Sequence, residues 1–425
     1  MWSKNDDLTS LGIKYTPQTK TIVLGNKIHE VQVFEIPLEK LRYNSNNGRI
    51  FMEVNKLRTT SSVDLKELES SDVDEFNKEF EQLIWESEPE KNDVTMESVK
   101  NFGQLEVGVV LSDGVVIDGN RRFTCLRKLH EKYPTDEKFA FFKAAILFKD
   151  EDKISQKEIK KYELQVQFGR DKEVGYKAVN FAMSIYQEVK SEEFTIPEIA
   201  EDVKKKPAEI TKIIHTCELI ENFLKYIHQE GQLYIIEELK LYFPLEPLGS
   251  YIKNIGAKLS PIEIEKRKQM FFDYLIGIDV ALPTQEFRDN LIGKIFKSQK
   301  HFTILDNAYQ EKNKKIVFDN LINKTLSPEE FVSSVQNFKT TDASTDIKNR
   351  YKEEVKAVEM ELLVDQPIKL CKEMIEILKN IDITSFLDST ATTADDKLRE
   401  IKKYLDEGSL LIGDLNKKIC DKLGI

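Results

Sequence analysis

The residues with the clearest chemical potential lie at one corner of the chain, Asp118-Gly119-Asn120-Arg121-Arg122. Two apolar runs joined by a Ser-Asp-Gly turn precede it, so the pattern predicts a β-hairpin, a tight corner and then a helix. The corner directs backbone N–H groups, the positive end of the helix dipole and two guanidinium groups at one small volume. A guanidinium group can donate two parallel hydrogen bonds to two oxygens of one phosphate. The sequence therefore predicts a phosphate site formed by Gly119, Arg121 and Arg122.

A second interpretation of the corner needs no ligand. A strand-to-helix turn requires a glycine, and two arginines in a first helical turn can be ordinary surface charge. Cations are nevertheless disfavoured at the positive end of a helix dipole unless an anion is present. Either a ligand phosphate or a carboxylate of the protein is therefore expected beside these arginines, and Thr124 could add a hydroxyl group.

A second pattern, between Thr195 and Ile214, predicts a helix-turn-helix. Thr195 suits the N-cap of a first helix with Glu198 at the capping-box position, and Pro207 suits the first turn of a second helix. Ala200 falls where the two helices would cross, a place that admits only a small side chain. The small core would come from Ile199, Val203, Ile210 and Ile213. In such a motif the second helix reads the major groove of DNA.

Two features of this segment keep a second interpretation open. Lys204 occupies the turn position that glycine usually holds, and a lysine adopts the required conformation only with strain. The charges of the segment also balance, with four lysines (204, 205, 206 and 212) against Glu198, Glu201, Asp202 and Glu209. A three-helix bundle that uses this geometry for packing alone would show the same pattern.

Composition limits the classes of function. A chain of 425 residues is too long for one ordinary hydrophobic core, so two or three domains are expected. A content of 40% hydrophobic and 32% charged residues is typical of a soluble, helix-rich protein. No apolar run approaches the roughly 18 to 20 residues of a membrane span, and the first residues lack a signal-peptide core, so we expect a cytoplasmic protein without membrane contact. The net charge of −11 disfavours DNA binding by counterion release alone, so any DNA contact must be local. Four scattered cysteines and five histidines predict neither disulfides nor a zinc site.

The remaining pattern is strands first and helices afterwards. Residues 20–52 are strand-like with a Gly25-Asn26 turn, and an acidic helical stretch follows. Residues 86–93 are typical of a solvated loop. Beyond Pro244 nearly all segments are helical, with a polar linker at 339–345 and charged helices at about 346–382 and 393–424. The apolar residues of these last helices predict a hairpin or coiled-coil face.

The two chemical patterns occur in the order found in ParB-type partition proteins, which this chain resembles over about residues 30–230. The stretch Val31 to Arg49 resembles the opening strand of that family and its loop ending in arginine. Phe102-Gly103-Gln104-Leu105 is similar to its Gly-Gln turn, and Asp118 to Arg122 is similar to its phosphate motif. Glu163-Leu164-Gln165-Val166-Gln167-Phe168 resembles its third motif, which precedes a helix-turn-helix.

The resemblance implies a fold and a division of the chain. The N-terminal domain, residues 1–150, would be an α/β (or α+β) domain of the ParB/sulfiredoxin type, with a helical insertion at about 52–98. An all-α helix-turn-helix domain (151–245) and a helical domain (246–338) would follow. Residues 346–425 would form a C-terminal helical hairpin or coiled coil that dimerises or recruits a protein partner.

The resemblance also implies ligands. A nucleoside triphosphate, CTP or ATP with Mg²⁺, would bind at Gly119, Asn120, Arg121, Arg122, Thr124, Gln104, Arg49 and Gln165. Phosphate oxygens and waters would hold the Mg²⁺, so no protein ligand for a metal is predicted. DNA would contact residues 206–215 and the preceding Lys205. The contacting side chains would be Lys205, Lys206, Lys212 and His215. The implied function is a nucleotide-switched DNA-binding or clamp protein, a homodimer, in plasmid partition or phage defence.

Departures from the family pattern leave other functions open. Asn120 replaces the glutamate of the phosphate motif, and the metal-associated glutamate of the third motif aligns with Leu164 in one register and Glu163 in another. Both departures favour nucleotide binding over efficient hydrolysis. The first alternative is a metal-dependent nuclease or phosphotransferase, with Asp118 and Glu163 as candidate catalytic residues. The second is a scaffold or regulatory module with a vestigial pocket. Cys125, one turn into the helix, does not match a sulfiredoxin cysteine.

Overall fold

The computed structural model describes residues 1–24, 27–60, 65–168, 178–255, 258–312, 322, 326–380 and 392–424. Contacts divide the chain into two units, Met1–Val355 and Lys356–Ile425. The first unit is an α/β protein, with a mixed sheet near its N-terminus and mostly helices after it. The predicted fold class is confirmed at that level, and the boundaries near 150, 245 and 338 stay predictions.

The described residues form one six-stranded sheet. Its strands are β1 (Lys14–Leu24), β2 (Lys27–Pro37), β3 (Arg42–Tyr43), β4 (Gly108–Leu111), β5 (Val115–Asp118) and β6 (Phe141–Leu147). Their order is β1-β2-β6-β4-β5-β3, and the β6–β4 and β5–β3 pairs are parallel whereas the others are antiparallel. The predicted hairpin and corner are therefore the β4–β5 pair and the end of β5. The expected Gly25-Asn26 turn lies outside the described residues.

Helices cover both faces of this sheet. One face packs against α1 (Phe51–Thr60), α2 (Leu65–Ser71), α3 (Val73–Ser87), α4 (Pro89–Phe102) and α5 (Asn120–Lys132). The other face packs against α6 (Gln156–Phe168), with Ile159 and Tyr162 buried on the sheet. Strand β6 shows the alternation expected of a central strand, because Phe142, Ala144 and Ile146 belong to the first core and Ala145 and Leu147 to the second.

The rest of the first unit is helical. The helices are α7 (Ala178–Lys190), α8 (Ile196–Asp202), α9 (Pro207–Tyr226), α10 (Tyr234–Glu238), α11 (Tyr242–Ile255), α12 (Pro261–Gly277) and α13 (Pro283–Glu286). A π-helix (Phe287–Phe296), α14 (Gln299–Lys312) and α15 (Pro328–Phe338) follow. Pro261, Pro283 and Pro328 are the first residues of α12, α13 and α15, and Ser260 and Ser327 form capping boxes at two of these starts.

Two sequence expectations are wrong. The expected loop at 86–93 is helical apart from Glu88, because the buried Asn92 amide donates to the Ile84 and Trp85 carbonyls (both 2.8 Å) and joins α4 to the end of α3. The expected linker at 339–345 is only three residues long (339–341), because α16 (Asp342–Lys379) already begins at Asp342. The buried Ser344 hydroxyl in its first turn donates to the Gly277 carbonyl at 2.7 Å.

The second unit consists of the end of α16 and of α17 (Thr392–Leu423) in its described part. Apolar side chains along both helices are more than half exposed, among them Leu363, Ile377, Leu410 and Leu411. No described helix of the chain combines the length and the apolar character that crossing a membrane requires.

Candidate functional site

The corner at the end of β5 has the geometry that the sequence predicts. Gly119 has φ +101°, in the left-handed region, and its carbonyl accepts the Phe123 N–H (2.9 Å) that begins α5. A Cβ at this position would lie 2.9 Å from Cζ of Phe142, so both the conformation and the packing require glycine. The backbone N–H groups at the start of α5 carry the positive end of the helix dipole.

Carboxylates of the protein lie beside both corner arginines. Arg121 forms a close ion pair with Glu88, the residue between α3 and α4. The Nη1 atom of Arg122 donates to the Glu106 carboxylate at 2.7 Å and to the Glu106 carbonyl at 2.9 Å. The sequence predicted a ligand phosphate or a carboxylate of the protein beside these arginines, and the structure places the Glu88 and Glu106 carboxylates there.

Asp118 is held by cations on both carboxylate oxygens. Its Oδ2 accepts from the Lys20 ammonium at 3.1 Å and its Oδ1 lies 3.5 Å from Nη2 of Arg122. Lys20 also donates to the Val107 carbonyl, which joins β1 to the residue directly before β4. Asp118 thus lies at the predicted place, in a charge network with two cations and Glu106.

Gln104 is also brought to the corner, but its amide group binds backbone. Its Oε1 accepts the Lys143 N–H and its Nε2 donates to the Lys143 carbonyl, both at 2.7 Å. The same Nε2 donates to the Glu106 carbonyl at 2.9 Å, the oxygen that Arg122 also binds. Gln104 therefore positions the segment that carries Glu106.

The other predicted ligand residues of the corner differ in placement. The Thr124 hydroxyl is buried and lies 2.8 Å from the Tyr43 hydroxyl, within the core. Asn120 is buried as well: its Nδ2 donates to the Val116 carbonyl at 3.2 Å, whereas its Oδ1 has no hydrogen-bond partner among the described residues. The backbone of Arg49 lies in a short 3-10 helix, Gly48–Ile50. Burial raises the pKa of the Cys125 thiol to about 12, consistent with a packing residue.

The two predicted residues of α6 lie in other contacts. Glu163 is buried, accepts from the Asn44 amide at 2.6 Å and pairs with Lys160 at 3.3 Å. Burial raises the pKa of Glu163, although Lys160 and Asn44 oppose that rise. Gln165 donates to Asp202 of α8 at 2.9 Å. Both side chains therefore join α6 to its neighbours.

The helix-turn-helix geometry is present in α8 and α9. Thr195 and Glu198 form the predicted capping box, and Ala200 is buried at the helix crossing. Lys204 has φ +54°, so the lysine does adopt the left-handed turn conformation. Three of the predicted core residues are buried (Ile199, Val203 and Ile210), whereas Ile213 is half-buried and Ile214 completes the core instead.

The structure separates two of the four acids of this motif from its lysines, whereas Glu201 and Glu209 stay exposed. Glu198 pairs with Lys157 of α6 at 2.8 Å, and the buried Asp202 accepts from Gln165 and lies 3.9 Å from Lys161. Glu209 accepts the Lys206 N–H at 2.9 Å. Within the described residues, the ammonium groups of Lys204 and Lys206 have no ion-pair partner, and both side chains are exposed.

The other predicted DNA contacts are partly engaged. Lys205 is exposed, with Glu209 at 3.9 Å. Lys212 is exposed and pairs with Glu246 of α11 at 2.5 Å. His215 is half-buried beside Gly249 of α11 and lies 3.1 Å from the Glu218 carboxylate. The first turn of α9 is thus exposed to solvent, while Lys212 and His215 contact α11.

Sequence reasoning did not identify Lys20, Glu88 and Glu106, the partners of the corner charges. Pro89 was the available signal for Glu88, because a proline at the first position of a helix places the preceding residue at its N-cap. Among the described residues, no group of three His, Cys, Asp or Glu side chains is arranged to hold a metal ion. No protein-family profile matches the chain, and no curated protein matches it.

Proposed function

We propose that this protein binds duplex DNA through the first turns of α9. The observation that carries the proposal is the separation of charge in the helix-turn-helix. Its acids at positions 198 and 202 face lysines of α6, whereas Glu201 and Glu209 stay exposed, so Lys204 and Lys206 are the lysines of the turn left without an ion-pair partner among the described residues. The chain is acidic as a whole, so the contact is local and oriented.

The predicted DNA contacts divide into two groups. Lys205 and Lys206 are exposed directly before α9 and Lys212 is exposed in its second turn, at the end by which a recognition helix contacts base edges and phosphates. His215 lies against α11 and supports the helix instead. A homodimer formed through the exposed apolar side chains of the second unit completes this proposal, since two copies of α9 read a two-fold symmetric site.

A nucleoside triphosphate at the corner is the second part of the proposal. The carboxylates of Glu88 and Glu106 are oxyanions, and they occupy the guanidinium groups where phosphate oxygens are predicted. The side chain of Glu106 is 83% exposed, so a phosphate can replace it on Arg122 at little cost. A phosphate group of CTP or ATP with Mg²⁺ would bind Arg122 in this way. The buried Thr124 hydroxyl and the Gln104 amide bind other groups of the protein, so they suit a structural role better.

Fluorescence anisotropy with labelled duplex DNA tests the DNA proposal. Lys205→Ala combined with Lys206→Ala should weaken binding and lower the slope of log affinity against log salt by roughly one for each phosphate that the protein no longer neutralises. The matched control is Lys225→Ala combined with Lys253→Ala, which removes equal charge from the far end of α9 and from α11. Equal affinities and slopes for the two double variants would refute the proposed contact.

Calorimetric titration with CTP and with ATP, each with Mg²⁺, tests the corner. Arg122→Ala should abolish or greatly weaken binding, because it removes the guanidinium group with the replaceable carboxylate. Arg127→Ala is the control, since Arg127 lies on the same helix and pairs with Glu81 at 2.7 Å. Incubation with DNA in the same buffers gives the third outcome: cleavage that disappears in Asp118→Ala would favour the nuclease alternative.

A further inference from the structure

The helical part of the first unit contains a cavity of about 430 Å³ between α9, α11 and the π-helix. Four of its described lining residues are cations and one is a carboxylate, Glu246. The cations come from three segments of the chain: Lys212 from α9, Lys258 from beyond the end of α11, and Arg288 and Lys297 from the π-helix and the residue after it. Neither the charge balance of the whole chain nor any spacing of its sequence indicates this concentration.

Two of these cations are compensated and two are not. Lys212 pairs with Glu246 at 2.5 Å, and Arg288 pairs with Asp289 at 2.8 Å. Within the described part of the chain, the ammonium groups of Lys258 and Lys297 form no ion pair. The cavity is therefore positively charged. An anion can bind the ammonium groups of Lys258 and Lys297 without breaking an ion pair of the described residues.

A third cation without a carboxylate partner among the described residues lies behind the cavity wall, and its guanidinium lies 3.8 Å from the centre of the Phe302 ring. Arg267 of α12 is 1% exposed, and its guanidinium donates to the Glu263 carbonyl (3.2 Å) and to the Gln299 side chain (2.7 Å). No carboxylate of the described residues pairs with it. Its neighbour Tyr251 lines the cavity; burial raises the pKa of Tyr251, and the guanidinium opposes that rise. The Phe302 ring and the two hydrogen bonds offset part of the cost of burying this charge, and a nearby anion would offset more of it.

The wall that carries Arg288 is itself unusual. Residues 287–296 form a π-helix, a conformation that is rare and often found at functional sites. A Cβ at Gly293 would lie 3.0 Å from the Arg288 carbonyl oxygen, so this helix is best formed with glycine there. Because Gly293 lines the cavity and has no side chain, the wall stays open at that point.

We propose that this cavity binds a small phosphorylated metabolite. Its phosphate groups would pair with Lys258, Lys297 and Arg288, and its apolar part would pack on Tyr251 and Ile292. The volume lies within the roughly 300–1,000 Å³ of small-molecule sites. The site does not depend on nucleotide binding at the corner. Lys212 lines this cavity and also belongs to the proposed DNA contact, but it is paired with Glu246 and is not among the cations assigned to the phosphate groups.

Calorimetric titration with inorganic tripolyphosphate probes the charges of the cavity. Lys258→Ala combined with Lys297→Ala should weaken binding roughly tenfold or more, because the variant cannot form the charge-assisted hydrogen bonds of the two ammonium groups. Both side chains are exposed, so the folded state should tolerate the change. The matched control, Lys253→Ala combined with Lys225→Ala, removes the same charge outside the cavity and should leave the affinity unchanged.

Lysine acetylation followed by mass spectrometry locates the bound anion. Tripolyphosphate should protect Lys258 and Lys297 from acetylation and leave Lys253 reactive. The inference is overturned if the wild-type protein does not bind tripolyphosphate, or if both double variants bind it as the wild type does. Binding that survives in both variants but disappears in Arg122→Ala would place the anion at the corner, which would support the proposed function and exclude this second site.

Discussion

Arg122 and Glu106 form an ion pair of 2.7 Å in which the two side chains differ greatly in exposure, 17% for the arginine and 83% for the glutamate. The guanidinium group is fixed, because the Glu106 carbonyl accepts from it at 2.9 Å and Asp118 lies 3.5 Å away. The carboxylate is held mainly by this one pair. The corner is thus a fixed cation with a replaceable anion.

Removing the replaceable anion should strengthen ligand binding. We expect Glu106→Gln to raise the affinity for CTP or ATP with Mg²⁺ by about 1.5- to 5-fold, since an exposed ion pair contributes roughly 0.2–1 kcal/mol. Calorimetry measures the change. Glu97→Gln is the control, because Glu97 pairs with Lys100 on the surface of α4 and its replacement changes the net charge equally. If Glu106→Gln and Glu97→Gln raise the affinity equally, the effect comes from the change in net charge and not from the loss of the Glu106 carboxylate, which would contradict the prediction.

Gly119→Ala should destabilise the protein more than a positive φ angle alone explains. The new methyl group would lie 2.9 Å from Cζ of Phe142, in addition to the strain of φ +101°. We expect a decrease of about 2–4 kcal/mol in the free energy of unfolding, from strain plus overpacking. Gly231→Ala separates the two causes, because Gly231 has φ +78° and no atom within 4 Å of its Cβ position. Urea unfolding of both variants should show the smaller decrease in Gly231→Ala.

The sequence predicted the corner because its geometry is local. An apolar strand, a glycine and a helical repeat are read from adjacent residues, and the same holds for the capping box of Thr195 and Glu198. The anions at the corner were not predictable in this way. Glu88 is 33 residues from Arg121, and only the packing of α4 on α5 brings the two together.

The helix-turn-helix illustrates the same limit within a single motif. Spacing predicted Ala200 at the helix crossing, and that residue is buried. Spacing also gave balanced charge for the segment, because a sequence does not show that Glu198 pairs with Lys157, 41 residues away. The charge of the exposed surface is decided by such long-range pairs.

Enlarging the side chain at the helix crossing should separate α8 from α9. We expect Ala200→Leu to lower the free energy of unfolding by about 1–3 kcal/mol, since the added methyl groups have no space at a residue that is 1% exposed. Ala208→Leu, at an exposed position in the first turn of α9, should change stability by less than about 0.5 kcal/mol. Urea unfolding followed by circular dichroism measures both. A tolerated Ala200→Leu would contradict the close crossing.

The buried Glu163 should make stability depend on pH in a direction opposite to that of most glutamates. Burial raises its folded pKa above the ordinary 4.5, so the folded state binds the proton more tightly than the unfolded chain does. Its contribution is fully present below pH 4.5 and is lost as pH rises through the higher folded pKa. Relative to Glu163→Gln, which does not titrate, the wild type should therefore lose stability as pH increases above 4.5.

Glu198 provides the control with the opposite sign. The Lys157 ammonium and the Thr195 N–H and hydroxyl lower the pKa of Glu198 to about 2. Its contribution is present above pH 4.5 and is lost as pH falls from 4.5 through about 2, so the wild type should gain stability over Glu198→Gln as pH rises across that range. Urea unfolding of the wild type and both variants at a series of pH values measures the two slopes. Slopes of the same sign would show that Glu163 is ionised at less cost than its burial between Asn44 and Lys160 implies.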